Sequence, residues 1–202
     1  MALTKNINNK LMVLASHNKG KIKEFKSLFS NYSVKIITSS ELGINDVEET
    51  GNTFEENAII KARSIPEGRL SISDDSGLCI EGLENYPGVF SSRYADRCGG
   101  WYEAMEKLYK DLIKVSNNNF KACFHSTIAI RWENNEISTF AGTIEGRVSW
   151  PPKGNNGFGY DPFFIPNEQC KTFGEIKHEE KIKIDHRSKA FEKLAKLHLI
   201  DN

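Results

Sequence analysis

The sequence predicts a single α/β domain spanning residues 1–202, built on a mixed β-sheet flanked by helices. Three observations predict it. The apolar run 11-LMVLA-15 breaks at 16-SHNKGK-21 into a helical pattern, giving a strand, a polar loop and a helix. Alternation from Phe120 to Trp132 marks a long half-buried strand, and the turn 133-ENNE-136 leads from it into 137-ISTFAGTIEGRV-148, so the pair forms a hairpin. Helical periodicity recurs at three further places along the chain.

Each element follows from its local pattern. Ile22, Phe25, Leu28 and Phe29 share one side of the first helix, and 34-VKII-37 reads as a second strand. Thr53 with Glu56 three residues later is a capping box, so a helix begins there, with Phe54, Ala58, Ala62 and Ile65 on one face. Lys61 projects from the edge of that face, about 55° from its centre at about 100° per residue. The stretch 70-LSISDDSGLCIEGL-83 reads as strand, acidic loop and strand, and 87-PGVFSSRYADRCGG-100 as a turn-rich passage. Trp101, Met105, Leu108 and Leu112 mark an amphipathic helix. Ala190, Phe191, Leu194 and Leu197 mark the last one, after the charged run 177-KHEEKIKIDHR-187. Between them, 149-SWPPKGNNGFGYDPFFIP-166 is a long loop dense in Gly, Pro and aromatic residues.

Composition excludes several function classes. The 27 Lys and Arg residues equal the 27 Asp and Glu, so no global field favours nucleic acid or a membrane surface, and any anion site must be local. No run approaches membrane-spanning length, and the first residues lack the apolar core of a signal peptide. The four cysteines form no CxxC pair, which argues against structural zinc. Free thiols packed as small hydrophobes in a reducing cytoplasm are the simplest reading.

The polar groups suggest a site. Ser16, Asn18, Gly20 and Lys21 lie in a strand-to-helix turn, where free N–H groups and a lysine attract anions. Carboxylates cluster at Glu48–Glu49 and Asp74–Asp75, and Mg²⁺ commonly takes one or two carboxylates with substrate phosphates. The plainer readings are helix-dipole complementarity for the glutamates and a solvated turn for the aspartates. Phe158 and Tyr160 in GFGYD could stack on a planar base, or simply pack the loop. Lys181, His186 and Arg187 supply donors, or a solvated charged face.

With 15-ASHNKGKIKEF-25, 48-EETGNTFEENAIIKA-62, 74-DDSGLCIEGLENYPGVFSSRYA-95, 157-GFGYDPFF-164 and 186-HR-187 in this order, the chain resembles the inosine triphosphate pyrophosphatase family. The resemblance implies an elongated mixed sheet, two lobes and a central substrate cleft. It also implies a cytoplasmic enzyme, usually a homodimer, that uses Mg²⁺ to hydrolyse XTP, ITP and dITP to the monophosphate and pyrophosphate. Ser16, His17, Asn18, Lys19, Gly20 and Lys21 would hold the triphosphate, with Lys61 reaching it too. Glu49 and Asp75 would bind the metal, Asp75 would activate water and Asp74 would support it. Ser76 would contact substrate. Phe158, Gly159, Tyr160 and Asp161 would frame the base, and Lys181, His186 and Arg187 would recognise the 6-oxo side of the purine.

His17, Asn156 and Asp185 depart from the family pattern, Asp185 beside the base-reading pair. Three other readings stand beside this one. A Maf-like pyrophosphatase would act on modified pyrimidine triphosphates, and GFGYDP with the HR pair argues against it. A phosphohydrolase forming an aspartyl-phosphate would release Pi, but D-x-D spacing is missing. A nucleotide- or RNA-binding module would bind without turnover, and neutral net charge argues against RNA.

Overall fold

A computed structural model of the chain describes residues 5–115 and 119–199. Its strands are β1 (Leu11–Leu14), β2 (Lys35–Thr38), β3 (Ser71–Ile80), β4 (Tyr86–Pro87), β5 (Lys121–Arg131), β6 (Ile137–Val148) and β7 (Phe164–Pro166). The helices are α1 (Lys19–Leu28), α2 (Phe54–Arg63), α3 (Ser91–Cys98), α4 (Trp101–Val115), α5 (His178–Lys181) and α6 (His186–His198). The strands form one mixed sheet in the order β2-β1-β3-β5-β6-β7, with β4 also paired to β3. Pairing is parallel for β1 with β2 and β3, and antiparallel for β3 with β4 and for β6 with β7.

The chain divides into two compact units. The first takes the chain up to Asp75, Ser126–Gly142 and the chain from Arg187 onward; the second takes Ser76–His125 and Thr143–His186. In the first unit β1 alternates as the pleat requires. Met12 and Leu14 join Phe25, Phe29, Ile72, Ile128, Phe191 and Leu194 in the main core, while Val13 and Ala15 pack with Ile65. In the second unit Leu78 and Ile80 join Tyr94, Met105, Leu108, Leu112, Phe124, Phe163 and Phe173.

Local chemistry sets the helix starts. Asn18 caps α1 by accepting the Lys21 N–H at 3.1 Å. The capping box of α2 is complete: Thr53 Oγ1 accepts the Glu56 N–H and the Glu56 carboxylate accepts the Thr53 N–H, each at 3.1 Å.

Five expectations need correction. The acidic stretch is not a loop, because β3 runs unbroken through Asp74 and Asp75. The passage 87–100 contains α3, which buries Ser91, Tyr94 and Ala95 and ends on Gly99 at φ +91°. The long aromatic loop contains β7, and the charged run contains the single-turn α5. Leu197 is exposed; Ala195 takes the core position near the end of α6.

Candidate active site

In 70-LSISDD-75 the period-two pattern continues through the acids. Ile72 faces the main core of the first unit. On the opposite face Ser71 Oγ donates to Ala62 O at 2.9 Å and Ser73 Oγ to Ala58 O at 2.5 Å, fastening β3 to α2. The small residues Ala58, Ala62 and Ala129 allow that close approach. Successive strand side chains point to opposite faces, so Asp74 and Asp75 part company.

Asp74 is buried and accepts from Lys21 Nζ at 2.9 Å, from Arg187 Nη2 at 2.9 Å and from Ser126 Oγ. Arg187 Nη1 donates to the buried Glu24. Burial pushes the Asp74 carboxyl up, but Arg187 and Lys21 outweigh it and hold the group well below the usual carboxylate range. Burial pulls Lys21 down, more than Asp74 raises it.

Asp75 faces α2. Lys61 Nζ donates to Asp75 Oδ1 at 2.8 Å and to Glu49 Oε1 at 2.6 Å, bridging the two carboxylates. Asn57, fully buried, donates to Asp75 Oδ2 at 3.3 Å and accepts the Gly51 N–H at 2.8 Å. Burial raises Asp75 more than Lys61 and Lys21 lower it. For Lys61 the balance reverses: burial pulls it down, and Asp75 with Glu49 carries it above its ordinary value.

Glu24, Glu49, Asp74 and Asp75 therefore face three cations, Lys21, Lys61 and Arg187. No group of three or more His, Cys, Asp or Glu among the described residues is arranged to hold a metal. The oxygens of Glu49 and Asp75, both in contact with one ammonium, fit a hard cation that takes one or two carboxylates and completes its shell with water and phosphate.

A second cluster lies in the second unit. Gly157 (φ +72°) starts a turn in which Asp161 Oδ2 accepts the Phe158 N–H at 2.7 Å; a Cβ on Gly157 would sit 2.0 Å from that oxygen. Lys181 Nζ donates to the same oxygen at 2.7 Å and lies over the rings of Phe158 (5.1 Å) and Phe173 (5.3 Å). His186 stacks on Phe124, with 4.9 Å between ring centres and 14° between planes.

A family model for the Ham1 family matches residues 12–197. The chain belongs to the Ham1 family. A dITP/XTP pyrophosphatase of Zymomonas mobilis is 40% identical over 186 residues, covering 91% of this chain and 89% of its own. One of Bacillus subtilis is 39% identical over 188 residues, covering 92% and 95%. A solved HAM1 protein from Coxiella burnetii superposes with a TM-score of 0.84 at 40% identity, covering 92% of this chain and 96% of that one.

This Ham1 chain gathers Lys21, Glu49, Lys61, Asp74 and Asp75 in one unit. Ser16 is buried at the end of β1 and its Oγ accepts the Asn18 N–H at 3.3 Å, while Lys19 and Gly20 open α1. His17 is exposed and its Nε2 contacts Ile44 O at 3.0 Å. Ser76 is half-buried on β3. Phe158, Gly159, Asp161, Lys181 and His186 all belong to the second unit, and Lys181 joins Asp161 and Phe158.

Two of the residues expected at the base are buried among partners within the chain. Tyr160 is core: it is buried edge-on against Trp101, and its hydroxyl donates to Ser91 O at 3.1 Å. Arg187 is fully buried in the first unit on Glu24 and Asp74. Of the departures, Asp185 is buried, with its N–H on Lys181 O. The Asn156 N–H donates to Gly174 O.

The sequence reading missed Glu24, Asn57 and Ser126. Glu24 sits on the buried side of α1 next to Phe25, and Ser126 falls among apolar residues on the inward face of β5. A polar residue at an apolar position of a periodic pattern was the available signal.

Proposed function

We propose that this chain is a nucleoside triphosphate pyrophosphatase that hydrolyses non-standard purine nucleoside triphosphates, ITP, dITP and XTP, to the monophosphate and pyrophosphate. The observation that carries the reading is the buried bridge from Lys61 to Glu49 and Asp75, in the unit that also holds the Ser16–Lys21 turn. The similar proteins of Zymomonas mobilis and Bacillus subtilis are named dITP/XTP pyrophosphatases, which supports two of these substrates.

In this reading the first N–H groups of α1, which have no acceptor inside their own helix, take phosphate oxygens together with Lys21. Glu49 and Asp75 would hold Mg²⁺, which would neutralise phosphate charge and lower the pKa of water. Asp75 takes a proton from the water that attacks the α-phosphorus. Lys61, held against Asp75, stabilises the charge that moves onto the departing pyrophosphate. Asn57 and the fastened face of α2 fix the Asp75 carboxylate without a moving part. The pair Asp74 and Arg187 supports β3 and α1 from the other face.

Purine recognition falls on Lys181, His186 and Phe158. Donors facing a 6-oxo group accept it well, whereas the amino group of adenine would meet another donor and lose affinity. A homodimer in the cytoplasm is the assembly that goes with this reading, and light scattering on the purified protein checks it.

The decisive assay incubates purified protein and Mg²⁺ with ITP, XTP, dATP and dTTP and identifies the inorganic product. Pyrophosphate from ITP and XTP, with little from dATP or dTTP, supports the proposal. Release of Pi, or turnover of dTTP alone, would falsify it.

A further inference from the structure

Ser126 on β5 donates to Asp74 on β3, and Leu78 and Ile80 of β3 share one core with Ala122 and Phe124 of β5, so Cys79 and Cys123, which alternate with those residues, lie on the other face of the same two strands. β3 and β5 are neighbours in the sheet, and both cysteines belong to the second unit. Residues facing each other on adjacent strands have Cα atoms about 4.5–5.5 Å apart. A disulfide spans about 4.4–6.8 Å between Cα atoms, so a cross-strand pair can close with little backbone movement.

Both thiols are half-buried, and Cys123 sits on the face of β5 where Lys121 is exposed and Cys123 and His125 are partly open. The two sulfurs are not equivalent. Interaction with the Cys79 thiol lowers the Cys123 thiol to about 7, against burial and the nearby Glu145, while the same interaction and burial push Cys79 up. One is a ready nucleophile and the other keeps its proton until it is needed. Cys170 is exposed and Cys98 interacts with Tyr94, and neither shows such a thiol partner.

We propose that Cys79 and Cys123 form a reversible dithiol–disulfide site that reacts with small-molecule disulfides of the glutathione class. The Cys123 thiolate attacks one sulfur of the small disulfide, whose S–S bond breaks, leaving a mixed disulfide and releasing one thiolate. Cys79 gives up its proton, which the released thiolate takes, and its sulfur attacks Cys123 Sγ. The second small thiol leaves with a proton from solvent. The two protein thiols lose two electrons, and the small disulfide gains them; no other oxidant is required. Neither cysteine belongs to the groups assigned above to nucleotide or metal, so the site stands independently of that reading.

The full chain is equilibrated with oxidised glutathione, digested without reductant and mapped by mass spectrometry, with parallel thiol titration. The expected result is a linked Cys79–Cys123 peptide pair, a fall of two in the thiol titre per chain, and full reversal by dithiothreitol. C79S is expected to stop at glutathionylated Cys123, and C123S to lose the cross-link. C98S/C170S should retain it, and C79A/C123A should keep the parent rate of pyrophosphate release. A persistent mixed disulfide on Cys123 in the parent, a cross-link confined to Cys98 or Cys170, or an unchanged thiol titre would each overturn the proposal.

Discussion

Asp74 and Asp75 leave β3 on opposite faces, the first onto Lys21, Ser126 and Arg187, the second onto Asn57 and Lys61. Two adjacent acids in a strand thus become two separate electrostatic problems. One carboxylate is held ionised by buried cations. The other is held where burial opposes its charge. That difference separates a stabilising group from a reactive one, and mutation should divide them.

Asp74→Asn should destabilise the fold by about 3–5 kcal/mol at neutral pH, because Arg187 stays buried with its charge only partly matched. The sign of the pH dependence follows from the lowered carboxyl. Its stabilisation is fully present above the ordinary value of 3.8 and is lost progressively as pH falls from there toward the folded value. Urea titrations of parent and variant should therefore differ most near neutrality and converge in acid. A constant gap down to low pH would exclude Asp74 as the titrating group.

Asp75→Asn should behave in the opposite way. The folded carboxyl sits above its ordinary value, so ionising it at neutral pH works against folding. The variant should keep or raise the urea midpoint while kcat falls about 10²–10⁴-fold and nucleotide affinity changes little. Equilibrium binding of ITP beside steady-state kinetics makes the comparison. A near-parental kcat would remove Asp75 from the chemistry.

Much of this was legible in the sequence, and the exceptions share a cause. The capping box at Thr53 fixed the start of α2, and the edge position of Lys61 already marked it as unusual. β3 was misread because Asp, Ser and Gly are turn formers locally. Tertiary partners on both faces override that preference: serines against α2 on one side, Arg187 and Lys21 on the other. The burial of Tyr160 and Arg187 was not legible for the converse reason, since neither motif position nor spacing tells a buried phenol or guanidinium from an open one. α3 was hidden because its signal is eight residues long and bounded by glycines at 88 and 99.

Asn57→Ala should lower kcat about ten- to a hundred-fold while KM stays within about three-fold, since it removes the amide that orients Asp75 Oδ2. Gly51→Ala should reproduce the defect from the other end. Its Cβ would lie 2.6 Å from Glu56 Cβ and 2.7 Å from Asn57 Oδ1, so the amide must move. Equal losses in kcat and thermal midpoint for both variants, with KM raised in parallel, would point to general unfolding instead.

Lys181→Met tests the second cluster. The variant leaves Asp161 buried with the Phe158 N–H but without its ammonium, which should cost about 3–5 kcal/mol of stability. Adding Asp161→Asn removes the stranded charge while still offering an oxygen to Phe158, so the double variant should recover most of that loss. Recognition should not recover with it, because the ammonium over the Phe158 ring is gone. KM for ITP is expected to stay raised about ten-fold or more in both variants, with kcat less affected. If the double variant regains both its urea midpoint and its parental KM, Lys181 serves only to neutralise Asp161, and the base must be read by other groups.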